Sequence, residues 1–154
     1  MLKPIHDVRG LMLPYIRSLN PYHGVDSTQA MAQRAGITPD KVIRLNGNEN
    51  PYGPSPKVVE ALAGFQNYNH YPDPEQQKLR GALSGYVGMP VEQIVAGNGS
   101  DEIIDLLLRM FVGPGENIIT PAPTFGMYAF STSICGGEAI SVQRDENYEI
   151  DVEA

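Results

Sequence analysis

Residues 94–120, IVAGNGSDEIIDLLLRMFVGPGENIIT, are the stretch that decides the fold. The short apolar run at 94–96 predicts a buried strand, and the glycine-rich residues 97–100 predict a turn. Apolar residues then recur at helical spacing over 101–112, which predicts a strongly apolar helix. After a Gly-Pro-Gly stop, residues 117–120 predict a second strand. A strand, a turn, a helix and another strand in succession are typical of an α/β fold.

The chain continues the same alternation toward its carboxyl end. A helix is predicted from about Thr124 to Ile134, and a third strand over Glu138–Val142. Three short strands leave a sheet with an open edge, and such sheets need cover on both faces. Asp151 stands where the N-cap of one more helix is expected, with residues 152–154 as its first turn. We therefore expect an incomplete sheet, belonging to the front part of a longer protein.

Residues 1–44 are predicted to form an N-terminal arm, followed by a partial α/β domain over 45–154. Within the arm, Ser27 or Thr28 is expected to cap a short helix that runs through Ala35 and is ended by Gly36. A short strand at Val42–Leu45 is a further possibility. The arm carries scattered large apolar residues, so we expect it to lie on another surface, for which a partner subunit is one candidate.

Two helices are predicted between the arm and the first strand. Ser55 is expected as the N-cap of one, with Pro56 at the first helical position. Asp73 is expected to cap the next, with Pro74 first, and Gly88 is expected to end it.

Composition excludes several classes of partner. The chain has 154 residues, 42% of them hydrophobic, with 11 basic and 18 acidic side chains and a formal net charge of −7. This acidity argues against nucleic acid or an anionic membrane as a partner. The single cysteine, Cys135, excludes an internal disulfide and is typical of a reducing compartment. With no signal-peptide pattern and no spanning apolar stretch, the sequence predicts a cytoplasmic protein; its three histidines lack the spacing of metal ligands.

Three segments are suited to binding chemistry. The loop 45–56, LNGNENPYGPSP, combines amides, a carboxylate, glycines and prolines, which hold one shape without a sheet ladder. The turn 97–102 leads from a strand into a helix, so its free N–H groups and the helix dipole favour an anion; a purely steric role of its glycines stays open. Phe125 follows a strand at the edge where α/β sheets bind ligands, either as a core aromatic or as a stacking surface.

These segments resemble, in order, those of the histidinol-phosphate aminotransferases, which use pyridoxal 5'-phosphate and have the aspartate aminotransferase fold. The resemblance runs from about Arg17 to Ala154. It implies the N-terminal arm and first part of the large cofactor-binding domain of a fold-type I transferase. It also implies a role in histidine biosynthesis, where an amino group moves between histidinol phosphate and 2-oxoglutarate.

The resemblance also assigns roles to individual residues. The cofactor phosphate would be bound at the turn, with Phe125 stacking on the pyridine ring and Tyr71 reaching the phosphate of the other subunit of a homodimer. The turn residues concerned are Gly99, Ser100, Asp101 and Glu102. Tyr22 would contact the substrate phosphate, and the loop would line the substrate side of the pocket through Asn46, Gly47, Asn48 and Asn50. Tyr71 and the arm would lie at the dimer interface.

The family's Schiff-base lysine has no counterpart in these residues. The four lysines all precede the turn, whereas the family's lysine follows it; they are Lys3, Lys41, Lys57 and Lys78. We therefore expect no catalytic residue within this chain and no transamination by the chain alone. Three alternatives stay open: a threonine-phosphate decarboxylase, an aromatic aminotransferase, or a non-catalytic remnant that binds the cofactor or another phosphorylated ligand. A Rossmann dinucleotide site is disfavoured, because the turn lacks Gly-x-Gly-x-x-Gly.

Overall fold

The computed structural model describes residues 8–150 and 152. Its regular elements are α1 (Pro14–Arg17), α2 (Thr28–Ala35), α3 (Pro56–Gly64), α4 (Gln77–Val87), α5 (Ser100–Phe111), β1 (Asn117–Ala122), α6 (Met127–Ile134) and β2 (Glu138–Gln143). Short 3₁₀ turns lie at Val8–Leu11, Pro39–Lys41 and Val91–Gln93. The expected cap at Asp151 lies outside the described residues.

The chain divides into two compact units. Residues up to 21 group with those from 75 onward, and residues 22–74 form the second unit. We call these the sheet unit and the loop unit. The boundary predicted between residues 44 and 45 stays a prediction.

The sheet unit is built on two parallel strands joined by a helix. β1 pairs with β2 in a register that places Asn117 opposite Glu138 and Ala122 opposite Gln143. α6 packs on both strands, and Ser131 and Thr132 on it are buried. The predicted alternation of strand and helix is confirmed here, although β1 extends two residues further than expected, through Pro121 and Ala122.

A glycine directly before β2 makes this packing possible. A Cβ built on Gly137 would lie 2.3 Å from Cγ1 of Val112 and 3.2 Å from Cγ2 of Thr132. The neighbouring Gly136, at φ +81°, faces the ring of Tyr15 in α1, whose carbons would lie 3.1 Å from an added Cβ. The start of the arm therefore packs on the sheet unit through its short helix.

The helix predicted over 101–112 forms one residue earlier, as α5. It packs against α6, and its C-cap Val112 donates to the carbonyl of Leu108 at 2.8 Å. Its apolar face is only partly covered: Leu108 is buried, whereas Leu107 is half exposed and Met110 and Phe111 are largely exposed. Within the described part of the chain, too few elements pack around α5 to cover its apolar face.

Two predicted strands do not form. Residues 94–96 are irregular, although Ile94 has extended backbone angles of φ −113° and ψ 125°. Residues 42–45 are likewise irregular. A strand requires a hydrogen-bonded neighbour, and among the described residues only β1 and β2 pair. A preference of these residues for extended backbone angles therefore does not by itself produce a strand at either place.

Two predicted helix starts are also wrong. Asp73 does not cap α4, because Gln76 takes left-handed angles (φ 50°) and interrupts the helical path before Gln77. α6 begins at Met127 rather than Thr124, since its first hydrogen bond four residues back joins the Phe130 N–H to the Gly126 carbonyl. Both shifts lengthen loops, and the second leaves Phe125 in the loop that follows β1.

The loop unit has helices but almost no core. The Ser27 hydroxyl caps α2 by accepting from the Ala30 N–H at 3.2 Å, and Gly36 ends it at φ 67°, as predicted. Ser55 is the N-cap of α3, but its side chain makes no capping hydrogen bond. Ala32 is the buried apolar residue of this unit, while Ile43 and Leu45 are 84% and 89% exposed.

Candidate functional site

The glycine-rich turn opens directly into α5. Gly99 is the N-cap residue, at φ 85° and ψ 177°, angles that favour glycine. Ser100 is the first helical residue, followed by the exposed Asp101 and Glu102. The N–H groups of this first turn have no partner within the helix, and the helix dipole makes its N-terminus attractive to an anion. The geometry is therefore suited to a phosphate, with the Ser100 hydroxyl as a further donor.

The side chain of Glu102 points back along the chain. Its Oε2 accepts from the Asn98 N–H at 2.5 Å and from Asn98 Nδ2 at 3.1 Å. A Cβ on Gly97 would lie 2.8 Å from the same oxygen, so the carboxylate occupies space that a larger residue would need. The Gly99 N–H is also engaged, since it donates to the Gly97 carbonyl at 2.9 Å.

Phe125 lies three residues beyond the carboxyl end of β1. Its ring is 48% exposed and meets the ring of Tyr128 edge to face, with the centroids 6.3 Å apart and the planes at 88°. One side of the ring is thus supported by the first turn of α6, while much of the ring stays accessible. α6 packs on α5, so the helix after Phe125 contacts the helix after the glycine-rich turn.

The polar loop of the loop unit is shaped by its own side chains. Asn50 Oδ1 accepts from the Tyr52 N–H at 3.0 Å, and Asn48 takes left-handed angles at φ 49°. Arg44 and Glu49 form an ion pair at 3.5 Å, and the Arg44 guanidinium lies beside Gly47. Residues 42–45 and 48–51 line an open concavity of about 940 Å³; Asn48 and Asn50 are thus part of its lining, whereas Asn46 and Gly47 are not.

Tyr71 and Tyr22 present their rings on the surface of this unit. Tyr71 is fully exposed and Tyr22 is about half exposed. Tyr71 also lines a shallow concavity of about 400 Å³ with Phe65, Tyr68 and His70. An aromatic ring that is fully exposed in the chain is available for contact with another molecule.

The predicted site residues therefore fall into two groups. Gly99, Ser100, Asp101, Glu102 and Phe125 belong to the sheet unit. Tyr22, Tyr71 and the loop residues 46–50 belong to the loop unit. Sequence reasoning missed the roles of Gly97 and Asn98 as neighbours of Glu102, and the pairing of Arg44 with Glu49. The contact of Glu102 with the turn had a signal in the sequence, because Glu102 follows Gly99 by three residues, which is the capping-box position.

Residues 8–150 and 152 contain neither a membrane-spanning helix nor a cluster of metal ligands. None of the helices there combines the length and apolar character that crossing a membrane requires. In the same residues, no three His, Cys, Asp or Glu side chains come together as a metal site would require.

The sequence matches a known protein family over most of its length. The description of that family is "Aminotransferase class I and II", and the match covers residues 40–154. The chain belongs to this family of class I and II aminotransferases. The fold-type I architecture expected from the sequence is confirmed by the solved structures that the chain resembles.

The similar proteins that follow indicate which kind of aminotransferase the chain resembles. The histidinol-phosphate aminotransferase of Roseiflexus castenholzii is 42% identical over 151 residues, which cover 95% of this chain and 41% of that protein. The chloroplastic histidinol-phosphate aminotransferase of Nicotiana tabacum is 41% identical over 140 residues, covering 91% of this chain and 34% of the relative. The chain thus spans between a third and two fifths of the length of these relatives.

A solved structure gives the same result. The histidinol-phosphate aminotransferase of Sinorhizobium meliloti, solved with pyridoxal-5'-phosphate, matches with a TM-score of 0.72 and 26% identity. The match covers 88% of this chain and 36% of that protein. The predicted resemblance to histidinol-phosphate aminotransferases is confirmed by these relatives and by this solved structure, and the family match agrees with it at the level of class I and II aminotransferases.

Proposed function

We propose that this chain supplies the phosphate site and the ring-stacking side chain for pyridoxal 5'-phosphate in a histidinol-phosphate aminotransferase. The observation that carries the proposal is the geometry of the turn 97–102, with Gly99 as N-cap and Ser100 at the head of α5. The Sinorhizobium meliloti relative, whose structure contains this cofactor, supports it.

The residues present fit the cofactor. Three unsatisfied N–H groups at the start of α5 and the Ser100 hydroxyl are donors for a dianionic phosphate. The half-exposed ring of Phe125, supported from the side by Tyr128, offers a flat apolar surface to a pyridine ring. When bound, the cofactor supplies an electron sink for amino-group transfer. The chain's own contribution is to hold its phosphate and limit the motion of its ring.

The substrate side of the proposal rests on the loop unit. Histidinol phosphate and 2-oxoglutarate are the proposed substrates, by similarity to the named relatives. Tyr22 would contact the substrate phosphate, and Asn46, Gly47, Asn48 and Asn50 would line the pocket. The concavity that Asn48 and Asn50 line supports the role of these two residues, and the half-exposed Tyr22 supports the contact with the substrate phosphate.

A homodimer is the proposed assembly. Tyr71 would reach the cofactor phosphate of the partner subunit, and the arm 1–44 would contribute to the interface. The full exposure of Tyr71 and the scarcity of buried side chains in the loop unit support this proposal. A cytoplasmic location belongs to the same proposal.

The reactive lysine would come from a later part of the protein. All four lysines of the chain precede the turn, and the relatives are more than twice as long as the stretch that matches. In this proposal residues 45–154 form the first part of the large domain. The chain then binds and orients the cofactor but does not carry out transamination alone.

The test uses the complete gene product, meaning the whole translation product of the reading frame that contains these 154 residues. Purified with pyridoxal 5'-phosphate, it should convert histidinol phosphate and 2-oxoglutarate to imidazole-acetol phosphate and glutamate. The 154-residue chain under the same conditions should show no turnover. Turnover by the short chain would contradict the assignment of the lysine to a later segment.

A substrate panel separates the related activities. Threonine phosphate and aromatic amino acids should react much more slowly than histidinol phosphate. If threonine phosphate is decarboxylated faster, or an aromatic amino acid is transaminated faster, the proposed substrate is wrong while the proposed cofactor stands. Stable cofactor binding without reaction on any of them would favour the non-catalytic alternative.

A further inference from the structure

We propose that Glu102 is a positioning residue, whose carboxylate shapes the glycine-rich turn for phosphate without itself contacting the phosphate. The inference rests on the proposed function and refines it. The family resemblance groups Glu102 with the cofactor-binding residues. In the structure, however, its carboxylate reaches back to the residue before the N-cap and accepts hydrogen bonds from the backbone and side-chain amides of Asn98.

The contact between Glu102 and Asn98 determines which N–H groups stay available. Glu102 accepts from both the backbone and the side-chain amide of Asn98, and the Gly97 carbonyl accepts from Gly99. These bonds engage the donors that precede the helix. The first-turn N–H groups of residues 100–102 are then the ones left for an anion.

The same contact compensates the negative charge of Glu102. A carboxylate in the first helical turn is close enough to a bound phosphate for the two negative charges to repel. Two N–H donors from Asn98 stabilise the carboxylate on the side of the turn that precedes the helix. Gly97 is part of this arrangement, because an added Cβ would come within 2.8 Å of Glu102 Oε2.

Two substitutions disturb this contact from opposite sides. Glu102→Ala removes the acceptor, and Gly97→Ala keeps the carboxylate but displaces it. Each is expected to weaken binding of pyridoxal 5'-phosphate by about tenfold, the range for loss of a hydrogen bond to a charged group. Because both break one contact, the double variant should lose little more than either single variant.

Glu102→Gln is the conservative variant. Its amide oxygen can still accept from Asn98, so the affinity for pyridoxal 5'-phosphate should stay within about threefold of that of the unmodified protein. A matched control is Asp105→Asn, which removes the same charge from the same helix. Asp105 accepts from Arg109 Nε at 2.7 Å, a bond that raises the pKa of the Arg109 guanidinium, and Asp105 is not among the residues that shape the turn. The Asp105→Asn control should bind pyridoxal 5'-phosphate with the same affinity as the unmodified protein.

The readout compares the phosphorylated cofactor with pyridoxal, which lacks the phosphate. Binding of each to the complete gene product and its variants is followed by the absorbance of the bound cofactor. In Glu102→Ala and Gly97→Ala the preference for the phosphorylated form should fall about tenfold, while binding of pyridoxal stays almost unchanged. A general loss of folding would weaken the binding of both ligands equally.

The measurements distinguish a failure of the proposed phosphate site from a failure of the positioning role of Glu102. If the unmodified protein shows no preference for pyridoxal 5'-phosphate over pyridoxal, the proposed phosphate site itself is wrong. If it shows the preference and Glu102→Ala keeps it, the positioning role is wrong while the proposed function stands. Equal losses in Glu102→Ala and Glu102→Gln would also contradict the positioning role, because glutamine retains the acceptor.

Discussion

The sheet unit and the loop unit hold their candidate site residues in different ways. In the sheet unit, the glycine-rich turn and Phe125 adjoin helices that pack on each other, and α6 is fastened to a two-stranded sheet. In the loop unit, Tyr71 and the loop 45–56 lie on a surface, and Ala32 is the one buried side chain among its described residues. The first group is therefore positioned by packing, and the second by local backbone chemistry.

The comparison teaches where each part of the site is vulnerable. A packed scaffold loses stability when a core contact is disturbed, and its binding residues are then lost with it. A loop fixed by prolines, left-handed residues and an Asx turn keeps its shape without a core. Ile43 and Leu45, which lie before and at its start, are largely exposed and therefore available for contact with another surface.

The largest expected effect tests the packing of the sheet unit. Gly137→Ala places a methyl group 2.3 Å from Cγ1 of Val112, closer than packed atoms can lie. We expect a loss of about 2–3 kcal/mol in the free energy of unfolding, measured by urea denaturation of the complete gene product. The control is Gly81→Ala in α4, where an added Cβ meets nothing within 4 Å. There we expect a gain of about 0.5–1 kcal/mol; equal effects at both sites would contradict the tight packing.

The next largest expected effect tests whether Tyr71 of the loop unit contributes to cofactor binding. Tyr71→Phe removes one hydroxyl from a fully exposed ring, so the stability of the protein should not change measurably. The affinity for pyridoxal 5'-phosphate should fall about tenfold, because a hydrogen bond to a charged phosphate is lost. Tyr52→Phe, at another almost fully exposed tyrosine, should change neither quantity. An unchanged affinity in Tyr71→Phe would remove this residue from the proposed site.

A matched pair of phenylalanines compares the two units directly. Phe125 and Phe65 are both 48% exposed, and each meets a tyrosine three residues later edge to face. Phe125→Leu should weaken binding of pyridoxal 5'-phosphate roughly three- to tenfold, as stacking is lost. Phe65→Leu should leave cofactor binding unchanged. Similar losses in both, measured by cofactor titration, would mean that Phe125 acts through general packing.

The smallest effect separates two serines at helix starts in the loop unit. Ser27→Ala removes the hydroxyl that accepts from the Ala30 N–H, and should cost about 0.5–1 kcal/mol of stability. Ser55→Ala removes a hydroxyl that makes no capping bond, and should cost less than about 0.5 kcal/mol. Thermal melts of the two variants under one set of conditions make the comparison. A larger loss at Ser55 would contradict the capping geometry.

Sequence reasoning was most successful where a signal is local. The cap at Ser27, the left-handed ends at Gly36 and Gly88, and the helix over 100–111 follow from side chains within one helical turn of the feature. The predicted strand at 94–96 failed because a strand depends on a neighbour, and its own sequence does not supply one.

The site shows the same division. The position of Gly99 and Ser100 at the start of a helix was predictable from the glycine-rich turn before an apolar helical pattern, while their role as a phosphate site stays a prediction. The orientation of the Glu102 side chain was not, because it depends on the space left by Gly97 and on two amides of Asn98. The left-handed Gln76 that delays α4 was also unpredictable, as glutamine carries no local signal for that conformation.

The register of β1 and β2 has a consequence for the order of folding. Its partners lie roughly twenty residues apart along the chain, so closing this loop requires little entropy. Contacts between residues close in sequence form quickly. We therefore expect β1, α6 and β2 to assemble early, as the chain leaves the ribosome. Ile119 and Ile140, which are paired in the register and exposed, would then be a binding surface for chaperones until later contacts cover them.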